Sequence, residues 1–328
     1  MIITKTPFRI SFFGGGTDYP TWCKEHGGAV LSTSIDKYCY ISCRLLPPFF
    51  DHKHRIVYSK IENVTAIENI EHPAVRAIFQ WMNVSEGIEV HHDGDLPARS
   101  GLGSSSAFTV GLIHALRALR GLQSSKNELA KSACHVEQNV IGENVGSQDQ
   151  IAAAYGGLNL IEFQQSGDFS VKPVVLAMEK QERLNDHMML FFTGLTRIAS
   201  EIAADQIQNI PNRVSELNSM RAMVDEALSL LSSQSVNYSD FGRLLHESWS
   251  LKRRLSATIS TSRIDYFYDA AMKAGAKGGK LLGAGGGGFL LIFAEPEIQH
   301  RIREALSDLI YVPFRFERSG SELALYQP

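Results

Sequence analysis

The segment PARSGLGSSSA, residues 97–107, restricts the fold of this chain more than any other. It places a Gly-Leu-Gly turn and three serines between a strand-like stretch and a strongly apolar helical stretch. Glycine reaches positive φ, and a helix N-terminus exposes unpaired N–H groups and the positive end of the helix dipole. Such a turn can hold a phosphate, with serine hydroxyls adding hydrogen bonds or a magnesium contact. A simple serine cap on a buried helix would look the same, so both interpretations stay open at this point.

Length and charge are those of a soluble enzyme. A chain of 328 residues usually forms two domains or one large one, and hydrophobic residues make up 44% of it. The formal net charge is −3, and the sequence contains no dense block of lysine and arginine. The sequence therefore lacks the concentrated positive charge that is typical of a nucleic-acid-binding protein.

The cysteines and the first residues bear on the compartment. Cys23, Cys39, Cys43 and Cys134 lack the CxxC spacing of a zinc or redox site, and Cys39 and Cys43 fit one face of a strand as small hydrophobes. This usage suits a reducing environment. The N-terminal stretch lacks signal-peptide organisation, and no window approaches the length of a membrane span. We therefore expect a cytoplasmic protein that does not contact a membrane.

Hydrophobic periodicity divides the chain into two mixed parts, 1–170 and 171–328. In the first part we expect a strand over Ile2–Phe13, a long strand or hairpin over 29–46, and helices over 126–140 and 146–155. In the second we expect a strand over 188–193, helices over 196–231 with a break at Pro211, further helices over Tyr238–Leu255 and 263–274, a strand–turn–strand over 278–293, a helix over 297–309 and two closing strands. Strands and helices do not alternate regularly, so the predicted fold class is α+β.

Two further glycine-rich segments flank the central one. In the first, RISFFGGGTDYP (residues 9–20), a sharp turn places Thr17, Asp18 and Tyr19 at a strand end, where they could bind a polyhydroxy ligand. A turn in which Asp18 only caps the next helix is the alternative. The other segment, GAGGGGF (283–289), contains overlapping G-x-G patterns but runs into a buried strand. A dinucleotide-binding motif would open a helix, so that interpretation fails, and the central segment lacks the lysine of a P-loop.

The three segments, in this order, resemble the three motifs of the GHMP kinases, and the resemblance covers the whole chain. It implies an N-terminal domain like ribosomal protein S5 domain 2, a ferredoxin-like C-terminal domain and an active site between them. It also implies that ATP phosphates lie on the central segment. The ATP-binding residues it implies are Pro97, Arg99, Ser100, Gly101, Leu102, Gly103, Ser104, Ser105 and Ser106.

The same resemblance implies the catalytic groups. Glu137 and Ser105 would hold Mg²⁺ against the ATP phosphates, and Asp149 would accept the proton of the attacking hydroxyl or orient that hydroxyl. Arg9 would lie beside Asp149, lower its pKa and stabilise the transferring charge. Without the motifs, Asp149 would be interpreted as a helix cap and Glu137 as a solvated helical acid.

The acceptor is predicted from the first segment. Galactokinases continue it with Glu-His-Thr-Asp, whereas this chain has Gly15-Gly16-Thr17-Asp18, which argues against free galactose. The motifs together with FTGLTRIAS (192–200) resemble the bacterial D-glycero-D-manno-heptose 7-phosphate kinases. These phosphorylate the anomeric hydroxyl to give the 1,7-bisphosphate on the route to GDP-heptose for capsule or surface glycans. Fucokinases share much of the pattern.

A phosphorylated sugar needs local cations, and Arg197 is our preferred partner for its phosphate. The other candidates are Lys5, Arg9, Arg99 and Lys280. The predicted substrate-binding residues are Thr17, Asp18, Tyr19, Arg197 and Gly285. A non-catalytic ATP and sugar sensor and a decarboxylase of the mevalonate branch are alternative functions, and a homodimer is left open.

Overall fold

A computed structural model describes residues 1–98, 100–195 and 199–328 of the chain. Its strands are β1 (Ile2–Phe13), β2 (Gly28–Leu45), β3 (His54–Val57), β4 (Ile61–Val64), β5 (Ile88–Gly94), β6 (Leu158–Phe163), β7 (Phe169–Pro173), β8 (Met188–Phe192), β9 (Gly278–Leu281), β10 (Phe289–Phe293), β11 (Ile310–Tyr311), β12 (Phe316–Glu317) and β13 (Glu322–Tyr326). Its α-helices are α1 (Pro20–His26), α2 (Pro73–Trp81), α3 (Ser104–Leu119), α4 (Lys126–His135), α5 (Gln148–Tyr155), α6 (Met178–Asp186), α7 (Ala199–Asn209), α8 (Val214–Ser232), α9 (Tyr238–Leu255), α10 (Ser262–Lys273) and α11 (Gln299–Ala305).

Within the described residues, nine strands form one sheet and four form another. The main path of the larger sheet runs β13-β1-β2-β5-β3-β4, with β12 and β6 also paired to β2 and β7 paired to β6. The smaller sheet runs β11-β8-β10-β9 and is antiparallel throughout. This mixture of helices and mainly antiparallel sheets, in which only β3 and β5 pair in parallel among the described strands, confirms the predicted α+β class.

The strand β1 lies beside β2, the strand of the larger sheet with the most partners. From Pro7 to Phe13 every residue of β1 is buried, because β2 covers one edge and helix α3 lies against the strand, whereas β13 pairs only with Ile2–Lys5. Most of α3 is buried as well, including Val110, Leu112, Ile113 and Leu116. A strand buried in this way has a nearly continuous apolar sequence. Its backbone is rigid and can therefore hold a side chain in a fixed position at a site.

Most predicted elements are present, and two differ. Of the two forms predicted for residues 29–46, the structure has the single long strand, β2, which ends at Leu45. The helix expected over 126–140 changes at residue 136 into a π-helical turn, Val136–Ile141. The helix expected over 297–309 is shorter, because a 3₁₀ turn precedes α11 and β11 begins at Ile310.

The last strands cross the predicted boundary between the two parts. β12 pairs with β2 and β13 pairs with β1, so both belong to the larger sheet although they lie within 171–328. β7 spans the boundary itself and pairs with β6. Within the part of the chain that the structure describes, no helix has the length and apolar character needed to cross a bilayer.

Candidate active site

A cleft between the two sheets collects the glycine-rich segments and the predicted catalytic groups. Its walls are the end of β1 with the turn that follows, the loop at the start of α3, the π-helical turn, the loop into α5, helices α7 and α9, and the turn between β9 and β10. The lining residues among the predicted site are Arg9, Asp18, Tyr19, Gly101, Gly103, Ser104, Ser105, Ser106, Glu137 and Asp149.

Arg9 and Asp149 form a two-pronged ion pair in this cleft. Arg9 Nε donates to Asp149 Oδ1 at 2.7 Å and Arg9 Nη2 donates to Oδ2 at 2.6 Å. The remaining guanidinium nitrogen, Nη1, donates to the Gly101 carbonyl at 2.7 Å. The arginine is 4% exposed and the aspartate 27%, so the carboxylate is the member that faces the cleft. The pair therefore joins β1, α5 and the central glycine segment at one point.

The central segment delivers backbone N–H groups to the cleft. Gly103 takes a left-handed conformation at the N-cap of α3, and the three serines form the first turn of the helix. The unpaired N–H groups and the positive dipole end of α3 therefore open towards Arg9 and Asp149. A Cβ on Gly283 would lie 2.4 Å from the Gly101 Cα, so the central and third glycine segments touch directly.

Glu137 lies in the π-helical turn and is 1% exposed. Its Oε2 accepts hydrogen bonds from Ser106 Oγ at 2.9 Å and from Gln150 Nε2. Its Oε1 is buried and has no hydrogen-bond partner among the residues that the structure describes. Burial raises the pKa of Glu137 to about 7, against the neighbouring hydrogen-bond donors that lower it. A π-helical turn often marks a functional site, because it redirects one side chain.

These residues fit a magnesium ion. Mg²⁺ takes few protein carboxylates and keeps water and substrate phosphates as its other ligands. Glu137 Oε1 and the serine hydroxyls of α3 supply such a set beside the N-terminus of α3. Ser106 contacts Glu137, while Ser105, the predicted ligand, is exposed on the cleft wall, and its role as a ligand stays a prediction. No cluster of three or more histidine, cysteine or acidic residues suited to a metal occurs in the described ranges.

Asp18 is a further carboxylate that lines the cleft. Its Oδ1 accepts from the Gly16 N–H and from Gln148 Nε2, both at 3.0 Å, and its Oδ2 accepts from the Gln148 N–H at 3.3 Å. Burial raises its pKa, the backbone hydrogen bond from Gly16 lowers it, and the charge of Asp149 raises it further. A Cβ on Gly146 would lie 1.8 Å from Asp18 Oδ2, so only glycine fits there.

Two predicted substrate ligands do not reach the cleft. The hydroxyl of Thr17 is buried within hydrogen-bonding distance of the Gly14 and Ala29 carbonyls, at 2.8 and 3.0 Å, so it holds the turn to β2. Gly285 packs on Ile259, where a Cβ would lie 2.7 Å from the Ile259 Cα. Tyr19 does line the cleft, and burial raises its pKa.

The predicted ATP-binding residues divide in the same way. Pro97 is exposed and lies off the cleft, and the Leu102 side chain is part of the core, although its carbonyl accepts from the Arg9 N–H at 3.0 Å. The hydroxyl of Ser100 is buried and has no hydrogen-bond partner within 1–98, 100–195 and 199–328. Arg99 and Arg197 lie outside the described residues. Lys5 lies over the Tyr38 ring, 3.8 Å from its centre.

Two lysines add positive charge from the second half of the chain. Lys252, on α9, is 6% exposed and donates to the Gly283 carbonyl. Lys280, on β9, is 2% exposed and donates to the Phe12 carbonyl at 2.8 Å. Sequence reasoning named Lys280 and missed Lys252, which looks like part of a basic helix end, Lys252-Arg253-Arg254. Its position in the helical repeat could have identified it, because Lys252 follows Leu245, Ser248 and Trp249 along the buried face of α9.

Sequence comparison places the chain among known kinases. Residues 66–157 match the GHMP kinases N terminal domain and residues 227–311 the GHMP kinases C terminal domain. The chain is 30% identical to a D-glycero-alpha-D-manno-heptose 7-phosphate kinase of Campylobacter jejuni, with 97% of both chains covered. It is 26% identical to an L-fucokinase/L-fucose-1-P guanylyltransferase of Bacteroides fragilis, covering 93% of this chain and 36% of that protein.

Solved structures show the same fold. A D-glycero-D-manno-heptose 1-phosphate kinase from Bacteroides thetaiotaomicron superposes with a TM-score of 0.78 at 24% identity, with all of both chains covered. A Lactococcus lactis galactokinase complexed with galactose superposes with a TM-score of 0.74 at 19% identity, covering 98% of this chain and 94% of that chain.

Proposed function

The chain belongs to the GHMP kinase family and is a sugar kinase, and we propose that its acceptor is the anomeric hydroxyl of D-glycero-D-manno-heptose 7-phosphate. The observation that carries this proposal is the Arg9–Asp149 pair, which faces Asp18 on one side and the N-terminus of α3 on the other. A phosphate-binding helix start and a sugar-binding carboxylate thus meet at one general base. The Campylobacter relative, similar over nearly its whole length, supports the choice of heptose.

The residues of the cleft suggest how transfer proceeds. The N–H groups at the start of α3 bind the ATP phosphates, and Asp18 binds acceptor hydroxyls. Asp149 accepts the proton of the attacking hydroxyl, and Arg9 fixes the orientation of that carboxylate through two hydrogen bonds. When bound, Mg²⁺ would neutralise charge on the β- and γ-phosphates, and Glu137 with Ser105 and Ser106 would hold it. Positioning and charge neutralisation account for most of such catalysis.

The turn after β1 supports a substrate other than galactose. Gly15 and Gly16 stand where galactokinases carry glutamate and histidine, and both line the cleft beside Asp18 without a side chain. We propose that Arg197 binds the 7-phosphate, since it follows β8 closely in the chain. The product would be the 1,7-bisphosphate, made in the cytoplasm on the route to GDP-heptose for capsule or surface glycans.

The test is ADP release with Mg-ATP and a panel of acceptors: free hexoses, L-fucose, free heptose and heptose 7-phosphate. We expect the highest kcat/KM with heptose 7-phosphate. Asp149→Asn should lower kcat by about 10²–10⁴ with the circular dichroism spectrum unchanged, because an amide cannot accept the proton. A preference for a free hexose or for fucose would refute the heptose phosphate assignment, and near wild-type turnover in Asp149→Asn would refute the base.

A further inference from the structure

Lys252 is a buried cation that faces the reacting groups and has no role in the mechanism above. It projects from α9 into the same cleft as Arg9 and Asp149. Its neighbours on the buried face of α9, Trp249 and Leu255, are apolar core residues. An apolar side chain would serve packing at this position equally well, so the ammonium group itself requires an explanation.

The charge of Lys252 is poorly compensated by the protein. Its Nζ donates to the Gly283 carbonyl, and no carboxylate lies within ion-pair distance of it among the described residues. Burial lowers the pKa of Lys252 to about 8, the charge of Arg9 lowers it further, and Asp18 and Asp149 oppose this. Burying an ammonium group without an ionic partner costs stability. Such a group is explained most simply by an anion that arrives with the substrates.

A chain of contacts ties Lys252 to the place where phosphate is transferred. Gly283, which accepts its hydrogen bond, lies against Gly101. The Gly101 carbonyl accepts from Arg9, which in turn holds Asp149. An ammonium group carries three N–H donors, and the Gly283 carbonyl uses one of them. The remaining donors are available in the cleft that the N-terminus of α3 and Asp149 also line.

We propose that Lys252 is a catalytic residue that donates a hydrogen bond to the phosphoryl group during its transfer. In this step the acceptor oxygen forms a bond to the γ-phosphorus, and the bond from that phosphorus to the β–γ bridging oxygen breaks. ADP leaves with the electron pair, and the hydroxyl proton passes to Asp149. Lys252 contacts a non-bridging oxygen and neutralises charge there. The inference rests on the proposed function only in that the reaction is an ATP-dependent phosphorylation.

Other charged groups of the cleft set the conditions for a pH test. Lys252 is faced by Arg9 on β1, by Asp18 in the turn after it, by Asp149 on α5 and by Lys280 on β9. The remaining titratable residues of the lining are Tyr19, Glu137 and Glu143. Arg9 uses its guanidinium nitrogens on Asp149 and the Gly101 carbonyl, and Lys280 donates to the Phe12 carbonyl of β1, where burial lowers the pKa of Lys280 well below the usual value for lysine. A comparison of variants at position 252 therefore separates the titration of Lys252 from the charges around it.

The experiment compares Lys252→Met and Lys252→Arg with wild type, using the acceptor that the panel selects. We expect the single-turnover rate of Lys252→Met to fall by about 10²–10³-fold, with the KM values for ATP and acceptor changed by less than about threefold. Lys252→Arg should recover part of the rate. Wild-type kcat should fall as the pH rises through about 8, where Lys252 loses its proton, and this alkaline limb should be missing in Lys252→Arg, because arginine stays charged. Arg254→Met, an exposed change on the same helix, is the matched control and should behave as wild type.

Three results would overturn the proposal. The first is an unchanged single-turnover rate in Lys252→Met. The second is a raised acceptor KM at unchanged rate, seen only with phosphorylated acceptors, which would assign Lys252 to the phosphate of the sugar. The third is an alkaline limb that persists in Lys252→Arg. If heptose 7-phosphate is not the acceptor but another sugar is, the comparison runs unchanged with that sugar, so failure of the acceptor assignment is distinguishable from failure of this one.

Discussion

Glu137 should make the stability of the metal-free enzyme depend on pH in a direction that can be worked out from its burial. Burial raises the pKa of this carboxyl from 4.5 to about 7. Between these two values the folded protein binds more protons at Glu137 than the unfolded chain does. The contribution of this group to the free energy of unfolding therefore falls as the pH rises through that window and levels off above it. The rise of this pKa from 4.5 to about 7 corresponds to a change of about 3 kcal/mol in the free energy of unfolding over the whole titration.

The substitution Glu137→Gln isolates this effect. The amide oxygen can still accept from Ser106 and Gln150, but the side chain no longer titrates. We expect the free energy of unfolding of wild type to fall by about 2–3 kcal/mol more than that of Glu137→Gln between pH 5 and pH 8. Comparing slopes removes any constant cost of placing an amide in the pocket.

The assay is urea unfolding followed by tryptophan fluorescence, in buffer with a chelator, at four pH values from 5 to 8. Glu226→Gln removes one carboxylate from an exposed position on α8 and should keep the wild-type slope. At pH 8, Mg²⁺ should stabilise wild type and leave Glu137→Gln unchanged. Equal pH slopes in wild type and Glu137→Gln would refute the argument that burial of this carboxylate destabilises the metal-free protein.

Two further substitutions test the geometry of the cleft. Arg9→Lys should lower kcat by about tenfold or more, because lysine cannot form the two parallel hydrogen bonds to Asp149. Activity assays at saturating ATP measure this loss. An unchanged kcat would mean that the orientation of Asp149 does not depend on Arg9. Gly146→Ala should raise the KM for the acceptor and leave the KM for ATP unchanged, since the new Cβ would lie 1.8 Å from Asp18 Oδ2. A raised KM for ATP alone would mean that Asp18 does not bind the acceptor.

Much of this molecule could be predicted from local patterns. Strand β1 and helix α9 are found with their predicted bounds, because a long apolar run and a strong helical periodicity leave few alternatives. The Arg9–Asp149 contact followed from the motifs and their order rather than from spacing, since the two residues are 140 positions apart. Motifs thus supplied the long-range information that periodicity lacks.

Other features are decided by tertiary contacts, which local patterns do not contain. No residue pattern distinguishes the π-helical turn around Glu137 from an α-helix, because the same residues would also continue α4. A threonine in a glycine turn can serve a ligand or the backbone, and at Thr17 the neighbouring carbonyls took the hydroxyl. The partners of β12 and β13 depend on how the whole chain is arranged in space, which short strands do not encode.

The pairing of β13 with β1 has a consequence for the order in which the chain folds during synthesis. Ile2 pairs with Tyr326, so the two edges that meet emerge from the ribosome more than 300 residues apart. Until then the outer edge of β1 has unpaired N–H and C=O groups beside an apolar face, which invites pairing with a neighbouring chain. The edge of Ile2–Lys5 thus gains its partner only after more than 300 further residues have been made, and a nascent chain halted before β13 would leave that edge exposed.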